Sequence, residues 1–157
     1  MASPAPFPLA SNLNSLLNGQ AKALGLNGSA GVIVFEDVVA PMSFVLSVAP
    51  TTGGDIEVYV IVSEDNVTWT DGISPTSTSD QAGLIKTAQR VGVVNTATGL
   101  ATTYIVNGFS IYSQLGYMPM FWSIVVSNKS GSSFAASGHI AQHSLQNYTT
   151  PVPVQYA

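Results

Sequence analysis

A two-residue alternation of apolar and other side chains constrains this chain more than any other feature. Met42, Phe44, Leu46 and Val48 alternate with Ser43, Val45, Ser47 and Ala49. Ile56, Val58, Val60 and Val62 alternate with Asp55, Glu57, Tyr59, Ile61 and Ser63, and Met120, Trp122, Ile124 and Val126 with Phe121, Ser123, Val125 and Ser127. Successive side chains of a strand point to opposite faces, so each run predicts a strand with one buried and one outer face. Weaker strand-type runs lie at 31–39, 67–70, 84–94, 102–111 and 133–145. Turn-forming clusters separate the runs: Ala40-Pro41, Pro50-Thr-Thr-Gly-Gly54, Ser63-Glu-Asp-Asn66 and Asn128-Lys-Ser-Gly131. No helix-length period lies between strands, which argues against a parallel βαβ arrangement. The expectation is an all-β protein, an antiparallel two-sheet sandwich of jelly-roll type over residues 31–148, with extended N- and C-terminal arms.

The arms, residues 1–30 and 149–157, differ from the middle. Pro4, Pro6 and Pro8 impose an extended, donor-poor start. Leu9, Leu13, Leu16, Leu17 and Leu24 then recur at helix-like spacing, with Ser11 or Asn12 as N-cap and Gly25 as stop. Gly19 interrupts that pattern, and Gly25, Gly28 and Gly31 form a joint. Two readings stand: a short helix packed on its own domain, or an arm that lays its leucines on a neighbouring subunit, the second being favoured. At the other end Pro151 and Pro153 exclude a helix, yet Val152, Val154 and Tyr156 are costly to leave in water. That tail is expected to lie on its own sandwich or on a partner.

Composition narrows the function classes. The 157 residues suit one domain, and only 8% of them are charged, against roughly a quarter in ordinary domains. Sparse charge leaves little repulsion between copies and so eases self-association. Nucleic-acid binding needs clustered cations, but Lys22, Lys86, Arg90 and Lys129 are scattered and the net charge is −4. The same balance argues against an anionic membrane surface, and no apolar run is long enough to span a bilayer. No basic and apolar leader stands at the N-terminus, so the protein is expected to be made in the cytoplasm and used there or released by lysis. The absence of Cys removes disulfides, thiol chemistry and Cys-based zinc sites. The sequons at Asn27, Asn66, Asn128 and Asn147 carry little weight in a chain so rich in Asn, Ser and Thr.

Each candidate site meets a plainer explanation. His139 and His143 would share a strand face about 13 Å apart, too far for one metal ion. Glu64, Asp65, Asn66 and Asp71 are rich in oxygen, as calcium requires, but lack EF-hand spacing and equally suit a hairpin turn. Paired carboxylates could serve a glycosidase, yet Glu36-Asp37, Asp55, Glu57 and Glu64-Asp65 fall at strand ends or on outer positions. Nucleophile-elbow, phosphate-loop and dinucleotide motifs are missing. Tyr59, Trp69, Tyr104, Tyr112, Tyr117 and Phe121 are of the type that stacks on sugars, whereas Trp122 belongs to an inward set. Tyr59 and Phe121, on outer positions, equally suit a subunit contact. No catalytic constellation, cofactor site or metal site emerges, and a non-enzymatic role is expected.

Two segments resemble small virion proteins of tailed bacteriophages. Residues 58–72, Val58-Tyr-Val-Ile-Val-Ser-Glu-Asp-Asn-Val-Thr-Trp-Thr-Asp-Gly72, are similar to a hairpin in which an apolar strand leads through an acidic turn into x-x-Trp-x-Asp-Gly. Residues 121–134, Phe121-Trp-Ser-Ile-Val-Val-Ser-Asn-Lys-Ser-Gly-Ser-Ser-Phe134, resemble their late hairpin, whose strand ends at Asn-x-Ser-Gly. The resemblance implies a jelly-roll capsid decoration (cement) protein on the head surface, bound to the major capsid protein or another virion protein. It further implies a homo-oligomer, a dimer or trimer with trimer preferred. A tail-fibre or baseplate component, or a carbohydrate- or receptor-binding sandwich, is the alternative. The residues expected to touch a partner are Leu13, Leu16, Leu17, Tyr59, Phe121, Val152, Val154 and Tyr156.

Overall fold

A computed structural model describes residues 4–27 and 36–146. The described residues are all-β, with ten strands: β1 (Ala5–Pro6), β2 (Ala21–Asn27), β3 (Glu36–Val39), β4 (Met42–Val45), β5 (Gly54–Ser63), β6 (Gln89–Thr96), β7 (Thr103–Val106), β8 (Phe109–Ser110), β9 (Phe121–Lys129) and β10 (Gln142–Gln146). One short helix, α1 (Ile111–Leu115), starts on the Ser110 hydroxyl, which accepts a bond from the Ser113 N–H, and ends at Gly116 in the left-handed region. All strand pairings are antiparallel, in sheets ordered β2-β9-β5-β6, β1-β10-β3-β8 and β4-β7. Backbone bonds between Ser43 and Ile140, and from Ala40 N–H to Gln142 O, knit the two latter sheets into one layer.

The main core lies between that layer and β2-β9-β5-β6. Ile56, Val58 and Val60 of β5 and Trp122, Ile124 and Val126 of β9 meet Val39, Met42, Phe44, Tyr104, Val106 and Phe134 from the other side. These are the inward sets of the alternation, and Val60 and Trp122 are both buried. The ends of two runs depart from it. Val48 lies beyond β4 and Met120 before β9, and both are exposed because neither is held in a strand.

The opposite face of the β5–β9 pair is covered as well. Residues 64–88, the long excursion from β5 to β6, fold back over it through two short 3-10 turns. There Trp69 and Ile73 pack with Ala21, Ala23, Ile61 and Val125 into a second, smaller core, with Tyr59, Ala82, Ile85, Ala88 and Phe121 against it. Positions expected to face solvent are therefore interior. Residues 67–70 form no strand; they belong to this covering loop.

Residues 4–27 are built into the sandwich and do not reach out from it. The leucine period gives only one 3-10 turn, Ala10–Leu13, because Ser15 and Gly19 take positive φ and break any helix. Leu13, Leu16 and Leu24 are fully buried in the main core, and Leu24 sits in β2, which pairs with β9. The Asn128 side-chain amide, itself buried, donates to Leu16 O at 3.0 Å and Ser132 O at 2.9 Å, tying this segment to the turn after β9. Gly54 and Gly131 permit the backbone crossings nearby: a Cβ at Gly54 would collide with Lys129 O, and one at Gly131 with Thr52 O.

Candidate functional site

Charge is distributed unevenly over this fold. No Asp, Glu, Lys or Arg occurs in residues 38–54 or 91–128, and Lys129 is the single charged residue after Arg90. The β4-β7 sheet, the 134–141 segment and α1 therefore carry none. Ser43 pairs with Ile105 on one side and with Ile140 on the other, so three side chains form a row across the outer face of this layer. Ile105 is 60% and Ile140 50% exposed. Bonds from Leu46 N–H to Thr102 O (2.7 Å) and from Gly99 N–H to Pro50 O (2.8 Å) bring two loops together at the end of the same sheet. Their tips present Val48 at 63% and Leu100 at 82% exposure. Single exposed apolar residues are ordinary on protein surfaces, and here four of them lie on elements that carry no charge.

Apart from Glu36 and Asp37 on β3, the charges gather on the other layer and the 64–88 excursion over it. Glu57, buried on β5, receives Lys129 Nζ at 2.9 Å, Arg90 Nη1 at 3.2 Å and the Tyr59 hydroxyl at 2.6 Å. Burial pushes the Glu57 carboxyl up, but Tyr59, Lys129 and Arg90 outweigh it and hold it below its ordinary value. Burial and then the Glu57 anion push the Tyr59 hydroxyl up to about 12. Near neutral pH Glu57 is a fully engaged anion and Tyr59 a neutral donor, so the cluster is a structural lock and not an acid–base pair.

The acidic loop closes turns. Asp65 Oδ1 accepts from Val67 N–H, Thr68 N–H and the Ser63 hydroxyl, which holds its carboxyl well below the usual range. Asp71 is somewhat desolvated, yet Thr87 and the amides of Lys86, Thr87 and Ala88 pull its carboxyl down as well. His139 Nδ1 accepts from Val45 N–H at 3.2 Å while Nε2 lies 2.9 Å from Ala135 O, which fixes the Nε2–H tautomer. His143, on β10, sets its ring 4.8 Å from that of Phe7, tilted by 50°. Among the described residues no three His, Cys, Asp or Glu groups gather as a metal site.

The residues expected to touch a partner are scattered by the fold. Leu13 and Leu16 are in the chain's own core and offer nothing to a neighbour, because strand β2 and the 134–135 backbone close over them. Leu17 is exposed. Tyr59 and Phe121 are half-buried under the 64–88 excursion. Val152, Val154 and Tyr156 lie outside the described residues. Ile105 and Ile140 were missed: both fall in weak strand runs whose phase single-sequence reading leaves open, although the long uncharged stretches were in plain view. No known family model matches the chain, and comparison with characterised proteins finds no match.

Proposed function

We propose that this chain is a non-enzymatic structural protein of a bacteriophage virion, a capsid decoration (cement) protein that braces the head shell. It acts there as a dimer or trimer, with the trimer preferred, in contact with copies of itself and with the major capsid protein. The observation that carries the proposal is the uncharged outer face with Ile105, Ile140, Val48 and Leu100 exposed on it. Many copies, each making a modest apolar contact of this kind, give strong attachment through avidity. A jelly-roll-type winding is part of the proposal. It is supported by the changes of layer from β1 to β2, β2 to β3, β4 to β5, β6 to β7, β8 to β9 and β9 to β10, while β5 and β6, joined by the 64–88 excursion, stay within one sheet.

Sedimentation at micromolar concentration tests the reading. The wild-type chain is expected to run as a dimer or trimer and to attach to undecorated heads. Ile105→Lys with Ile140→Lys is expected to give a monomer that attaches weakly, at an unchanged unfolding midpoint. A monomeric wild type that also fails to attach to head shells overturns the proposal.

A further inference from the structure

Asn107 and Gly108 join β7 to β8, and both are exposed. The alternation of β7 runs on into them: Tyr104 and Val106 are buried, Ile105 and Asn107 exposed. Asn107 therefore stands two residues from Ile105 on the same side of the uncharged layer. An asparagine followed by glycine is open to attack on its side-chain amide by the next backbone nitrogen, because glycine brings no Cβ to block the approach. Packing requires the glycine here. A Cβ at Gly108 would lie 2.5 Å from Val39 O and 3.0 Å from Pro41 N.

The sequence holds three such pairs, Asn18-Gly19, Asn27-Gly28 and Asn107-Gly108, of which the second runs beyond the described residues. Asn18 and Gly19 are exposed as well, but both are held. Asn18 Oδ1 accepts from Gly131 N–H at 3.0 Å, and Gly19 N–H donates to Asn128 O at 2.6 Å. The Asn107 side-chain amide has no hydrogen-bond partner among the described residues. It lines an open cleft of about 400 Å3 between β6 and the β7–β8 joint, with Arg90, Val91 and Gln114 among the other walls. Water and hydroxide have access to the amide there. Arg90 is the one charged residue lining the cleft, and a cation does not oppose a nitrogen that is losing its proton.

We propose that Asn107 is a site of spontaneous deamidation. The Gly108 nitrogen gives its proton to a solvent base and bonds to Asn107 Cγ. The Cγ–Nδ2 bond breaks, and the amide nitrogen takes a proton from water and leaves as ammonia. Water then adds to one carbonyl of the five-membered imide and opens it to aspartate or isoaspartate at position 107. Either product places an anion within residues 91–128, which hold no charge. A carboxylate is costly to bury in an apolar contact, so the aged chain self-associates less. That consequence rests on the assembly reading, whereas the modification itself does not.

Incubation of the full chain in mildly alkaline buffer, followed by peptide mass mapping and isoaspartate detection, tests the site. Asn107 is expected to convert at least about tenfold faster than Asn18, where two hydrogen bonds must break first. Asn107→Asp carries the charge from the start and is expected to shift sedimentation towards the monomer. An Asn107 that stays intact while the urea-unfolded chain converts there, or that converts no faster than Asn18, overturns the proposal. Conversion at Asn107 together with wild-type association of Asn107→Asp upholds the modification and counts against self-contact through this face.

Discussion

Trp122 shows at a single residue how the alternation becomes energy. Its ring meets Phe7 edge-on at 6.2 Å and His143 at 6.5 Å, with Ile124 and Val126 of its own strand in the same core. Trp122→Ala removes that contact and leaves a cavity, and is expected to cost about 3–5 kcal/mol, read from urea denaturation. His143 makes the protein sensitive to acid. Burial disfavours its imidazolium and holds its pKa below the ordinary 6.5. The unfolded chain takes up this proton near 6.5, whereas the folded chain resists it until a lower pH. The stability is therefore complete above about 6.5 and drains away as pH falls towards the folded value. Glu57, also held below its ordinary 4.5, adds a second loss at lower pH in the same direction. Denaturation midpoints across this range should fall with acid, and His143→Gln should flatten the upper limb; an unchanged limb would rule the histidine out.

At the scale of elements, the N-terminal segment and the 64–88 excursion have opposite characters. Deleting residues 1–20 removes Leu13 and Leu16 from the core and strips Asn128 of its Leu16 acceptor, so circular dichroism should show an unfolded chain. A truncated chain that stays folded would restore the expected arm. Asp71→Ala, by contrast, frees the 86–88 amides from their clamp. Amide exchange should quicken within 64–88 first, with the sheets still protected. The long alternating runs at β5 and β9 were legible because strand side chains repeat every two residues. Leu9 to Leu24 misled because helix spacing says nothing of Ser15 and Gly19, whose positive φ cancels it. Burial of Ile61 and Val125 on the outer face was not legible, since it depends on where a distant loop lands. The exposed row at Ile105 and Ile140 stayed hidden for the same reason: it exists only once Ser43 stands between strands remote in sequence.

At the scale of the whole molecule, the pairing pattern sets the tempo of folding. Among the described strands, β5 and β6 are the single hydrogen-bonded pair that are also neighbours in the chain. Loop closure must precede most pairings, so stopped-flow refolding is expected on a millisecond-to-second scale and not in microseconds. A submillisecond phase carrying the full fluorescence change of Trp122 would contradict this topology. The same pattern has a consequence during synthesis. Ala21 leaves the ribosome long before its partner Ser127, and Ala5 before His143. At about 5–20 residues per second, β2 must wait for several seconds before Leu24 can be buried. A chain cut short before β9 can complete neither layer. Abortive translation products of this gene thus cannot bury their core, and proteolysis can tell them from finished copies by their failure to close.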